Sequence, residues 1–262
     1  MTAPMASSTR LCVPLAQPVR VPEELAFVVP LAVERGVVEQ TARAAILGSF
    51  LRPHDIQGAE IAPTLLAWVP FWRVEVTASG FHLGISTVRL KDSGASIPIP
   101  TGGANHRDAA LLVTARRNFP FAPPLVHVPG ALRFDPSAPL RGAFHIELSE
   151  LVPWAQHEVR EGEIVDPDVT QAMAESEAKG RILRSVEPSS AIYAKYEPRV
   201  RSSALCLYPL FITTYTYEGH AGGTPGDAYH VLVSGKSGKV IGEKHPSALK
   251  ALARKFRRFL TP

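Results

Sequence analysis

The chain has 262 residues, 45% hydrophobic and 20% charged, with a formal net charge of +4. That length and balance suit a soluble globular protein with a sizeable core, in one large domain or two smaller ones. No apolar run approaches the ~18 residues that span a bilayer, and Cys12 and Cys206 are too few and too far apart for a disulfide framework or a zinc site. No basic segment followed by an apolar core opens the chain, so no secretory signal is read and a cytoplasmic setting is expected.

Residues 1–25 are Pro/Ala/Ser-rich without periodicity and read as an extended or disordered arm. Ala26 to Val33, interrupted by Pro30, suits an edge strand. Val37, Val38, Thr41, Ala42, Ala45, Ile46 and Phe50 fall at helical spacing and predict a helix over 34–51, ended by Arg52-Pro53. Trp68 to Trp72 leads into a strand from Arg73 towards Gly80, and a second strand follows over 82–90. Residues 92–108 (DSGASIPIPTGGANHRD) read as loop, and Pro120 to Pro139 as irregular. With 24 prolines in the chain, short strands are expected rather than long ones.

Asp166-Pro167-Asp168 reads as a helix start, with a capping acid and Pro at the first helical position, and predicts a helix to about Arg184. A strand is expected over 191–196. Phe211 to Tyr217 alternates β-branched and aromatic residues, Tyr229 to Val233 returns, and Ser234 to Gly238 turns the chain into Val240-Ile241. Gly235-Lys236-Ser237 superficially matches the end of a phosphate-binding loop. It lacks the earlier glycine (His230 stands there) and the following helix, so a hairpin turn is the reading.

Val69-Pro70-Phe71-Trp72 with a strand ending at Gly80 parallels Tyr208-Pro209-Leu210-Phe211 with a strand ending at Gly219. Each copy follows a predicted helix. The expected fold is therefore α+β: two related helix-plus-antiparallel-meander units, at 26–140 and 141–246, with a C-terminal helix over 247–262.

These stretches resemble a bacterial family of uncharacterised proteins often auto-named zinc-ribbon or primosomal protein N′-like. The resemblance lies in Val29 to Val33, Val69 to Trp72, Glu150 to Pro153, Leu207 to Phe211, and above all Val233 to Ser247 (VSGKSGKVIGEKHPS). It implies an architecture and carries over no catalytic residue. The cysteine-rich zinc ribbon and the membrane-spanning helices of many members are not found here.

No H-E-x-x-H spacing and no G-x-S-x-G elbow occurs, so no catalytic residue, metal ligand or cofactor is expected. Trp68, Phe71 and Trp72 read as core. The basic amphipathic end of the chain is the most functional feature. Leu249, Leu252, Phe256, Phe259 and Leu260 share one face, while Lys250, Arg254, Lys255, Arg257 and Arg258 occupy much of the rest. Such a helix docks on a partner protein or an anionic membrane surface. The expectation is a non-enzymatic scaffold or accessory subunit. Two alternatives stand beside it: a nucleic-acid-binding accessory protein using these cations with Arg199 and Arg201, and an enzyme with a fold-assembled site near His106 and Asp108.

Overall fold

The computed structural model describes residues 18–48, 56–89, 96–117, 119, 146, 148–157, 161–188, 191–216 and 228–244. The C-terminal helix expected over 247–262 lies outside them. Nine strands, counted over the described residues, form one mixed sheet: β1 (Ala26–Val28), β2 (Glu60–Ile61), β3 (Leu65–Arg89), β4 (Ser96–Thr114), β5 (Val152–Pro153), β6 (Glu163–Ile164), β7 (Ala191–Thr216), β8 (Ala228–Ser234) and β9 (Val240–Lys244). Among the described residues there are two α-helices, α1 (Arg35–Gly48) and α2 (Gln171–Val186).

This corrects the expected α+β fold of two helix-plus-meander units. The two Pro-aromatic stretches do not head separate meanders. They lie side by side in the centre of one sheet, where β3 and β7 pair antiparallel from Leu65↔Ile212 to Gly84↔Ala191. β1 runs parallel to β7 and antiparallel to β5, while β6 runs parallel to β3, so strands from both halves of the chain interleave. Instead of separate units, the sheet has a local two-fold relation about the pair Val69↔Tyr208. Ala115 N donates to Pro70 O (3.1 Å) as Gly235 N does to Pro209 O (2.9 Å). Val165 N donates to Trp68 O as Val29 N does to Leu207 O, and Asp168 and Val169 both donate to Ala115 O as Ala32 and Val33 do to Gly235 O.

The proline content did not shorten the strands, because each central proline sits where no donor is needed. Pro70 and Pro209 face the ends of β4 and β8, accept from the residue just beyond each, and leave no ladder bond unmade. β3 and β7 consequently run through 25 and 26 residues.

Alternation along these strands divides the core. One face carries Leu66, Trp68, Leu207 and Phe211 against Val38, Ala42 and Ile46 of α1. Further along that face, Trp72, Val74, Val76, Leu111 and Val113 meet Ala174, Ala178, Ile182 and Val186 of α2. The opposite face gathers Ala67, Val69, Phe71, Cys206, Tyr208, Leu210 and Ile212 with Phe119 and Ile146. α2 begins later than expected: Thr170 is its cap, accepting from Met173 N, whereas Asp168 Oδ1 accepts from Arg117 N. Arg181 Nη1 donates to Leu112 O (3.0 Å) and ties α2 to the rim of β4.

A projecting ribbon as candidate functional site

Beyond the last turn of α2, three strands continue as a ribbon: 81–89 of β3, 96–104 of β4 and 191–195 of β7. Asn105 Nδ2 and Arg107 Nη1 donate to Val186 O and Ser185 O at the helix end, which marks where cover on that face stops. The three strands stay together because Gly80 presents no side chain. A Cβ there would lie 2.0 Å from Lys195 O and 2.6 Å from Tyr196 Cα, so only glycine admits β7 this closely. His82 Nδ1 and Tyr196 Oη, 2.9 Å apart, cross-link the same strands.

The ribbon is apolar where it is exposed. Phe81, Leu83 and Ile85 alternate along one face, joined by Tyr193, which pairs with Leu83 across the ladder. The Phe81 and Tyr193 rings sit 5.7 Å apart. Val88, Ile97 and Ile99 alternate on the other face, and Ile192 is 72% exposed at the start of β7. Single exposed apolar side chains are ordinary; a contiguous set on a projecting element marks an interaction surface.

Toward the core, the Phe81 face turns polar. Arg73 is buried, donates from Nε to Ile146 O (3.2 Å), and pairs with Glu75 at 2.8 Å. The hydrogen bonds that Glu75 accepts from Arg73 and from Ser202 hold its carboxyl below the ordinary 4.5. Asp108 Oδ1 lies 3.3 Å from both His106 Nε2 and Arg201.

No family model, curated protein or solved structure matches the chain. Its chemistry is read from its own geometry.

His106 and Asp108 do come together, on β4 rather than on the expected loop, with side chains 59% and 50% exposed. Arg199 and Arg201 each face a carboxylate, of Glu197 and Asp108. Trp68, Phe71 and Trp72 are buried in the core as expected, with indole donors satisfied by Glu161 O and Val169 O. The Gly235 turn leads into β9, and Lys236 Nζ donates to Glu150 Oε2 (2.5 Å). A cavity of about 320 Å³ lies between the end of β4 and α2; at its lining Arg181 pairs with Glu177, and Arg117 Nη2 donates to Met173 Sδ. The proposed docking residues Leu249, Lys250, Leu252, Arg254, Lys255, Phe256, Arg257, Arg258 and Phe259 lie outside the described residues.

Sequence reasoning predicts two strands of the ribbon, over 82–90 and 191–196, and misses the third, on β4. The signal was present as alternation, Ile97 and Ile99 with Phe81, Leu83 and Ile85, but Pro98, Pro100 and Gly102-Gly103 made 92–108 read as loop.

Proposed function

We propose that the protein is a non-enzymatic binding and assembly protein, with the apolar ribbon as its main contact for a partner protein. The observation that carries this reading is the row Phe81, Leu83, Ile85 and Tyr193, exposed on paired strands that Gly80 lets approach closely. A preformed apolar row costs little ordering entropy on binding and supplies aromatic and aliphatic anchors. The basic C-terminal stretch is a second docking element in this reading, supported by its amphipathic pattern. Arg199 and Arg201 are matched by neighbouring carboxylates, which leaves nucleic acid the weaker reading.

Affinity purification of the tagged full chain tests it. A stoichiometric protein partner is expected. Leu83→Lys with Ile85→Lys should remove that partner while leaving the thermal midpoint within about 2 °C, since both positions are exposed. Deleting residues 247–262 should weaken docking and leave the fold intact. Recovery of the chain alone, or a partner indifferent to the ribbon variant, overturns the proposal.

A further inference from the structure

β4 is a terminal strand of the sheet, and among the described residues it pairs with β3 alone. Its outward groups can be assigned from the register. Pro98 and Pro100 can have no ladder bond through nitrogen, and Leu112 O, of the same parity, accepts from Arg181 outside the ladder. The even-numbered residues therefore turn N–H and C=O away from β3. From Gly102 to Ala110 these groups have no hydrogen-bond partner among the described residues. A long strand edge left in this state is a template for another strand.

We infer that this edge pairs with β4 of a second copy of the chain, antiparallel about a two-fold axis at Arg107. This goes beyond the partner reading above and uses the edge rather than the ribbon's apolar faces. The open stretch is closed at one end by Pro100, which has no donor, and at the other by Arg181, which occupies Leu112 O. Its midpoint is His106, where an axis would set His106 against its own mate and Ala104 against the partner's Asp108. An axis at Arg107 also keeps the even-numbered outward groups opposite one another and pairs complementary side chains; Gly102 then stands opposite the partner's Leu112, whose oxygen Arg181 already holds.

Between the ends, Ala104 stands against the partner's Ala110, and His106 against the partner's Asp108, each relation occurring twice. Small residues let the backbones close to the roughly 4.8 Å of a ladder. The His106–Asp108 contact within one copy (3.3 Å) is repeated between copies as a cross-strand imidazole–carboxylate pair. Arg107 meets its own mate on the other face. There its guanidinium is drawn to Ser185 O in the last turn of α2, where the helix dipole favours a cation.

The experiment uses the full chain with Cys12→Ser, which leaves the buried Cys206 as the native thiol. Light scattering should give twice the 28.3 kDa chain mass. Ala104→Pro removes one outward donor and no bond to β3, and should yield a monomer with unchanged circular dichroism. Arg107→Cys should cross-link to its own mate under mild oxidation, because a non-hydrogen-bonded antiparallel pair sets Cα atoms about 4.5 Å apart, within disulfide reach. If Ala104→Pro disturbs folding, the cross-link decides alone. A monomer at every concentration overturns the proposal, as does a dimer that survives Ala104→Pro in a folded chain or fails to cross-link through position 107.

Discussion

Tyr208 stands at the local two-fold with its hydroxyl 2.5 Å from Ser234 Oγ, and Ser234 in turn accepts from Ser237 N at 3.1 Å. The phenol thus ties the sheet centre to the turn that closes β8 onto β9. Burial pushes it up from 10.0 to about 12, and burial likewise pushes the Cys206 thiol up from 9.0 to about 12. Both groups stay neutral in the folded chain while the unfolded chain begins to ionise them, at about pH 9 for the thiol and 10 for the phenol. The unfolded state therefore binds fewer protons, and stability falls as pH rises from 9 towards 12. Denaturant melts at pH 8, 9.5 and 11 should show the decline, and Tyr208→Phe with Cys206→Ala should flatten it. At neutral pH, Tyr208→Phe alone should cost about 1 kcal/mol, because Ser234 keeps its backbone partner. Cys206 should resist thiol reagents until denaturant is added, which a timed labelling assay reads directly.

At the scale of the element, α2 depends on Thr170 rather than on the acid-proline-acid run that precedes it. Thr170→Ala should lower stability by about 1 kcal/mol and Thr170→Ser by little, measured by urea unfolding. Gly80→Val should be far worse, since its side chain would collide with the backbone of Lys195 and Tyr196; the expected result is proteolytic opening of the ribbon. The helices were legible because periodicity at 3.6 needs only local sequence: α1 was expected over 34–51 and is described over Arg35–Gly48. The long strands were not. Glycine and proline normally punctuate strands, but Gly80 here admits a neighbouring backbone, and Pro98 and Pro100 occupy an outer edge with no ladder bond to lose. Those roles depend on which strand lies beside them, and a linear sequence does not display it.

At the scale of the molecule, the repeat of Val69-Pro70-Phe71-Trp72 and Tyr208-Pro209-Leu210-Phe211 was visible. Its meaning was not, because a repeat in sequence is equally compatible with two units or with one sheet built about an axis. Register settles it, with Trp68 opposite Pro209 and Pro70 opposite Leu207. A chain ending after residue 190 lacks β7, the strand between β3 and β1, and should fail to fold; circular dichroism and proteolysis would show this. The same placement has a consequence in time. β3 is complete at Arg89, but its central neighbour extends to Thr216. At roughly 5–20 residues per second, a ribosome needs on the order of ten seconds to supply that neighbour. Once β4 is made (at Thr114), Phe71, Trp72 and Val74 have it on one side and no β7 on the other until that strand arrives, a window in which a chaperone that covers apolar strand edges would raise the yield of folded chain.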